Sequence, residues 1–515
     1  MKKFLRSGKP CHDSSKGEKL NVIQQTWRGT LSAFAYLARS AVILLLFALP
    51  GLPAVAEENP GLDSLALKRM AQPLVQLDGQ VSRRRLDNGL LIRWLPLTGR
   101  HSASIASHVA VGSRHETAGQ TGYAHLFEHM LFKGSARAPG DSYGAWLGSL
   151  GASYNARTLF DATDFYLTLP SQALPLGIML EADRLMQPSL SDEGLGNQQA
   201  TVLAEMAQTI DNQPYFRVAM EFLLDQAKDT PYSHAIIGSR QDIENATPAS
   251  LRAFYHKHYR PDAVTVALAG DISPAAIEEL AQAFGPWLNP PGDALEPKTS
   301  PRGQRPGPIQ GQVTDERAPW PGLLLAWPTV GRGHADAEAV RLLELQLFQR
   351  LANELERAGI AGRDSLLSYS LPLTMEEFGM TNLVLVPRAR TSLDTLAERV
   401  EAQLARLASE PLNERELGSL KALWLKQRLA AIEHTESLAL LLADVETRDL
   451  DHPLSGPWQR VAAVDSEDLM RVAREYFQER TIRLDLQPGW STRFGKGLLE
   501  WLPAGVTDTL EDLAL

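Results

Sequence analysis

Cysteine is almost absent from this chain: Cys11 is the only one in 515 residues. A disulfide framework, a cysteine-based zinc site and a cysteine nucleophile in the folded body are therefore excluded. Positive charge is not in excess either. Fifty-one Lys and Arg face 61 Asp and Glu, a net charge of −10. Nucleic acid is not an expected partner, because such proteins carry a basic footprint. There is no phosphate-cradling P-loop and no strand-linked G-x-G-x-x-G. No apolar run reaches the roughly 20 residues that span a bilayer. What remains is ordinary globular composition, 44% hydrophobic and 22% charged, at a length that suits two or more domains.

The first 56 residues read as a targeting segment. Residues 1–40 are rich in Lys and Arg, and residues 41–49 form a short apolar run. Pro50, Gly51 and Pro53 follow, then Ala54-Val55-Ala56. A basic region, a short apolar core and an A-x-A site describe a secretory signal peptide. Cleavage after Ala56 is expected, giving an exported chain, in a bacterial periplasm, with no stable membrane span. The alternative is an uncleaved signal that anchors the chain to the membrane.

Beyond the signal, residues 57–75 read as a poorly ordered lead-in with one short helical run. Val81 to Leu95 reads as a hairpin around Asp87-Asn88-Gly89. Strands are expected at 103–111, 153–158, 164–169 and 263–269. Helices are expected at about 121–132, 141–150, through 173–230, at 248–258 and at 274–287. Residues 289–314 are dense in Pro and Gly, from Pro290 to Gly311, and read as a linker. A strand at 322–327 and a helix at 335–357 open the second half. Leu251, Phe254, Tyr255, His258 and Tyr259 lie 218 positions before Leu469, Val472, Ala473, Tyr476 and Phe477. Val264, Val266 and Leu268 keep that offset to Ile482, Leu484 and Leu486. A helix-then-strand unit recurring in register implies two related domains. The expected fold is α+β, with homologous domains at 76–288 and 315–490, each a mainly antiparallel sheet packed with helices, and a tail at 491–515.

The chemistry concentrates in Gly122-Tyr123-Ala124-His125-Leu126-Phe127-Glu128-His129. His125 and His129 are four apart, so a helix puts both imidazoles on one face. That spacing lets them share a zinc ion, with Glu128 at the border of the same face. The order is H-x-x-E-H, the inversion of H-E-x-x-H. A catalytic zinc keeps three protein ligands and an open position. Glu205, 76 positions beyond His129, sits in a helical pattern and is the best third ligand. Spacing alone leaves Glu181, Asp183, Glu193 and Asp211 open. Glu128 would be the general base. The other ten histidines receive no metal role. Gly140-Asp141-Ser142-Tyr143-Gly144 matches G-x-S-x-G, but a loop rather than an apolar strand precedes it. It reads as a turn into a helix, with Asp141 or Ser142 as N-cap.

The flanks of this turn carry a resemblance. Val111–Glu116 and Thr121–Ser135, then Gly151–Thr158 with Asp161, Thr163 and Tyr166, then Glu181–Met186, Leu203–Met206 and Pro231–His234, resemble the pitrilysin/insulinase family of zinc metallopeptidases. The similarity covers roughly residues 80–285. It implies one Zn2+ per chain, with Glu205 as third ligand. It also implies an unfolded peptide substrate added to a sheet edge near Asn155 and Ala156. With a single pair of domains, the chain looks like the mitochondrial-processing-peptidase-like type, which pairs as a homodimer or heterodimer. The resemblance further implies an Arg and a Tyr on the second domain that bind the substrate carbonyl. Tyr369 fits as the Tyr, whereas Arg357 and Arg363 match the spacing poorly. Gln198 stands where many relatives have a supporting glutamate. A catalytically inactive or partner-activating subunit is the alternative function.

Overall fold

The computed structural model describes residues 63–490, except 229, 292–307, 319, 352–364, 371, 446–448 and 479. The signal, the tail and most of the Pro-rich linker lie outside the described residues. Among the described residues no helix is long and apolar enough to cross a membrane.

Two six-stranded sheets organise the chain, and both combine strands with packed helices in an α+β arrangement. The first contains β1 (Ser82–Arg85), β2 (Leu91–Pro96), β3 (Ser102–Val109), β4 (Ser153–Thr158), β5 (Thr163–Pro170) and β6 (Val264–Gly270), in the order β1-β2-β6-β3-β5-β4. The second contains β7 (Ile309–Asp315), β8 (Gly322–Val330), β9 (Ser365–Ser370), β10 (Leu373–Thr374), β11 (Phe378–Pro387) and β12 (Ile482–Pro488). Its path is β10-β11-β8-β12-β7, with β9 also on β11. In each sheet a single pair is parallel, β2 with β6 and β12 with β7, so both are mainly antiparallel.

The 218-residue offset holds at the level of topology. β6 and β12 lie exactly that far apart, and each follows a helix, Pro248–His258 in one half and Ser466–Val472 in the other. Each is flanked by a parallel neighbour on one side and an antiparallel one on the other, β2 and β3 for β6, β7 and β8 for β12. The two halves are therefore built on one plan.

Two boundaries differ from the expectation. The linker ends earlier than position 314, because β7 begins at Ile309. Its alternation, Ile309 and Val313 against Gln310 and Gln312, is interrupted by Gly311. A Cβ at Gly311 would sit 3.0 Å from the Phe222 ring and 3.2 Å from Leu484 Cδ1, so the glycine makes room within a strand. From residue 64 on, the lead-in is helical and runs further than expected. Ser64–Met70 and Gln72–Asp78 are both helices, and Leu67, Ala71 and Leu74 are buried in the core of the second half. Asp78 fixes their end by accepting from Leu454 N at 2.8 Å and Ser455 N at 2.9 Å.

One face of the first sheet packs the metal-motif helix and its neighbours through Ile92, Ile105, Val109, Phe165, Phe127 and Phe254. The other face offers Leu95, Ala106, Ala267 and Ala269 to a helix from the second half, Thr435–Ala443, whose Leu438, Ala439 and Leu442 are fully buried. Alanines on both surfaces let this helix lie close to the strands. Each buried leucine contributes about 1.5–3 kcal/mol.

Candidate metal centre

Tyr123–Met130 forms the helix that carries the histidine pair. Tyr123, Ala124, Leu126, Phe127 and Met130 are buried, which leaves His125, Glu128 and His129 on the opposite stripe. The helix starts abruptly at Gly122, whose φ is +86°. A Cβ there would lie 2.5 Å from Ile237 O and 2.9 Å from Gly238 Cα, so only glycine admits this turn.

The open N–H groups of the first turn find a carboxylate from outside the helix. Gly122 N donates to Glu116 Oε2 and Ala124 N to Glu116 Oε1, both at 2.7 Å. His234 Nε2 lies 2.8 Å from the same Glu116 Oε2. Burial raises the Glu116 pKa, and the bonds from His234, Ala124 and Gly122 offset part of that rise. Sequence reasoning missed this brace. A usual N-cap signature has its acceptor on the cap residue itself, whereas here the acceptor comes six residues earlier.

Glu205 reaches the pair from the helix Asp192–Met206, which Ser191 caps through Gly194 N at 3.1 Å. His125 Nε2 is 3.8 Å from Glu205 Oε1 and His129 Nε2 is 3.5 Å from Glu205 Oε2. The imidazole centroids stand 4.7 Å apart at an interplanar angle of 72°. One ligand atom from each of the three residues lies within 4.8 Å of the others, and no other such group occurs among the described residues. Three of the competing carboxylates are engaged elsewhere and the fourth is exposed. Glu181 pairs with Arg184 at 2.6 Å, Asp183 accepts Arg137 N at 2.8 Å, Asp211 pairs with Arg240 at 3.2 Å, and Glu193 is exposed.

The electrostatics suit a cation. Burial pushes the His125 pKa down to about 4, so its imidazole is neutral. Burial also works against charge on His129, but Glu205 and Glu128 outweigh it and raise its pKa, with help from a Gln198 hydrogen bond. Burial alone would raise the Glu205 pKa, but the His129 bond and the charges of His125 and His129 together bring it down. Glu205 thus favours positive charge beside it, which is also what a metal cation bound by these groups would supply. Two imidazole nitrogens and one carboxylate also match a three-ligand zinc site with an open position. Gln198 is buried two turns before Glu205 on the same face of that helix, where it supports His129 as a neutral amide.

Glu128 turns its carboxylate towards the first sheet. Thr158 Oγ1 donates to Glu128 Oε2, and no hydrogen bond engages Oε1 among the described residues. Burial raises the Glu128 pKa, with Thr158 and His129 opposing. Asn155 and Ala156 lie on β4, the outer strand of the sheet. The Asn155 Oδ1 accepts the Ala156 N–H at 2.9 Å, which closes one donor of that open edge. Tyr369 lies in β9 opposite Val384, and its side chain, like Arg357 and Arg363, falls outside the described residues. Asp141 does occupy the N-cap position of Ser142–Ser149, but its side chain makes no cap bond and instead pairs with Lys133 at 3.1 Å.

Against known proteins, a family described as insulinase (peptidase family M16) matches residues 97–240, and one described as the peptidase M16 inactive domain matches residues 245–423. Together the two matches span most of the described chain. The chain belongs to the M16 peptidase family. The zinc protease PqqE of Helicobacter pylori is 23% identical over 402 residues, 76% of this chain and 89% of that protein. A probable mitochondrial-processing peptidase subunit beta of Schizosaccharomyces pombe is 24% identical, over 77% of this chain and 89% of that protein. The crystal structure of a protease from Helicobacter pylori has a TM-score of 0.71 at 21% identity, covering 79% of this chain and 99% of that one. As an M16 chain, this protein carries the histidine motif in the half matched by the insulinase description and not in the half matched by the inactive-domain description.

Proposed function

We propose that this chain is a zinc-dependent endopeptidase acting on peptides or unfolded protein segments. The observation that carries the proposal is the convergence of His125, His129 and Glu205 beside a carboxylate, Glu128, with one oxygen unengaged. Held by those three residues, one zinc ion per chain would polarise the scissile carbonyl and lower the pKa of a water from 15.7 to about 7.

The remaining steps belong to the chain's own groups. Glu128 Oε1 accepts a proton from the attacking water and delivers it to the leaving amine nitrogen. Its burial favours the protonated form, which suits a group that must hold the proton between those two events. The His125 imidazole stays neutral and keeps a nitrogen lone pair for the metal. The extended substrate adds to β4 by main-chain hydrogen bonds, the β-augmentation mode. Asn155 then swings off Ala156 N so that this donor can bind the peptide. Tyr369 reaches the substrate carbonyl from the second half.

We further propose that the chamber is completed by a second chain, identical or related, in an exported compartment. Two readings of that pairing differ in outcome. A subunit that cleaves only with a related partner is favoured by the similarity to a protein named as a subunit of mitochondrial-processing peptidase.

The decisive experiment compares wild type with Glu128→Gln for zinc content and for cleavage of an unstructured peptide. Zinc in both and cleavage in wild type alone are expected. Zinc without cleavage, even after a related subunit is added, would sink the peptidase reading. A mature N-terminus upstream of Arg39 would refute signal cleavage.

A further inference from the structure

The candidate base and the candidate substrate edge meet at a single hydroxyl. Thr158 is the last residue of β4, the outer strand of the first sheet. Its Oγ1 donates to Glu128 Oε2 on the metal-motif helix. We propose that Thr158 is a positioning residue for the base: it holds Glu128 by Oε2 and leaves Oε1 to face water and substrate. The inference rests on the peptidase reading above and adds to it a residue acting through Glu128.

The alternation of β4 explains why this residue can do so. Thr158, Ala156 and Tyr154 share one face. Ala156 is buried in the cluster that contains Phe127 and Met130 of the motif helix, and Tyr154 lies 5.6 Å from Phe132 by ring centroids. That face of the strand therefore meets the helix at Ala156 and the residues just beyond that helix at Tyr154, and Thr158 meets Glu128 at the strand end.

The opposite face is pinned by a row of charges crossing three strands. Arg157 stands directly opposite Asp164 on β5, and Asp164 directly opposite His108 on β3. Arg157 Nε donates to Asp164 Oδ2 at 2.8 Å, and His108 Nδ1 lies 2.7 Å from Asp164 Oδ1. His108 Nε2 faces Asp444 of the second half at 3.9 Å, and Asp444 accepts from Arg332 at 3.0 Å. The residue before Thr158 is thereby tied through the sheet to the other half of the molecule. A hydroxyl at position 158 follows a residue anchored to the next two strands of the sheet, the kind of support a group that aligns a carboxylate requires.

The consequence is that substrate docking and base alignment share one element. A peptide that adds to β4 bonds to the same strand that holds Glu128.

The test uses full-length, zinc-loaded protein, wild type or carrying Thr158→Val, Thr158→Ser or Glu128→Gln, assayed alone and with a related subunit added, with a fluorogenic unstructured peptide as substrate. Valine keeps the shape without the hydroxyl, and serine keeps the hydroxyl. The expected result for Thr158→Val is a fall in kcat of about 10- to 100-fold, with KM, zinc per chain and thermal midpoint unchanged. Thr158→Ser should restore kcat to near wild type. A Thr158→Val enzyme with wild-type kcat would overturn the inference, as would serine being as impaired as valine, or a loss that falls on KM or zinc instead. Those results leave the peptidase reading intact while Glu128→Gln is inactive. A Glu128→Gln variant that still cleaves overturns the base assignment and this inference with it.

Discussion

Replacing Asp164 by asparagine removes one charge from the row that joins the sheet to the second half, with almost no change in shape. Asp164 is 1% exposed and accepts from Arg157 and His108 at 2.7–2.8 Å. Burial alone would raise its pKa, yet the bonds and charges of His108 and Arg157 bring it down from 3.8 to about 2. At about 1.4 kcal/mol per unit, the ionised form contributes roughly 2–3 kcal/mol at neutral pH. Because the folded pKa is depressed, this share is fully present above the unfolded value and is lost as pH falls through 3.8 to about 2. Asparagine also leaves Arg157 and His108 without their anion. Breaking a buried pair from one side costs about 3–5 kcal/mol, and that is the loss expected for Asp164→Asn. His108 supplies a second signature. Burial lowers its pKa, but Asp164 and Asp444 outweigh it and hold it above 6.5. Its share is therefore present below about pH 6.5 and is lost as pH rises through the folded value. Urea unfolding of the two proteins at acidic, neutral and mildly alkaline pH measures both effects. Wild type should weaken above about pH 6.5 through His108, and the variant should show a flatter profile there. A variant within about 0.5 kcal/mol of wild type at pH 7, the spread of ordinary surface changes, would refute this account of the row.

Three further outcomes are expected at the metal centre and its support. Glu205→Gln should lose zinc on purification while Asp211→Asn keeps it; metal analysis giving the reverse would reassign the third ligand. Gln198→Leu should weaken zinc binding by about 10- to 100-fold in chelator competition, and unchanged affinity would remove Gln198 from the site. Gly238→Ala should destabilise by more than about 1–2 kcal/mol and loosen the metal, since φ is +80° and the new Cβ would fall 2.3 Å from Thr121 O and 2.5 Å from Gly122 Cα. A soluble Gly238→Ala protein with wild-type urea midpoint and zinc content would contradict that packing.

The parts of the site that were legible in the sequence are those set by local geometry. Two histidines four apart, with a glutamate between, must share a helical stripe whatever the rest of the chain does. The same holds for the hairpin at Asp87-Asn88-Gly89 and for the helix–strand unit repeated at 218 residues, because periodicity is a property of neighbours in sequence. What depended on distant partners was harder to read. Spacing left five carboxylates open and the resemblance pointed to Glu205; the packing of the Asp192–Met206 helix on Tyr123–Met130 brings that one within 3.8 Å of both imidazoles. Glu116 and His234 are 118 positions apart, and no spacing rule joins them to the first turn of the motif helix. The helices at 64–78 look like an amphipathic fragment with nothing to pack against, since their core lies in the second half. β7 escaped notice for a different reason. Its Gly311 follows a run of prolines and reads as linker, although a glycine is what the Phe222 ring leaves room for.

The same non-local packing changes what the two halves mean for the site. A Pro- and Gly-rich stretch between two copies of one plan suggests two domains that could be parted. The contacts contradict that separation. Thr435–Ala443, from the second half, covers the face of the first sheet opposite the metal helix, touching β3, β6, β5 and β2. Ser104 Oγ meets Thr168 at 2.7 Å and Thr435 at 2.8 Å, and Arg93 donates to Leu442 O at 3.1 Å. The lead-in helices bind the second half in return. Without the second half, the sheet that carries β4 would present Leu95, Ala106, Ala267 and Ala269 to water, and its buried Arg93 would lose its carbonyl. An apolar sheet face of that kind is an aggregation liability rather than a stable surface. The half that lacks the histidine motif therefore serves the half that has it in a specific way: it closes the back of the sheet whose edge holds Glu128 through Thr158.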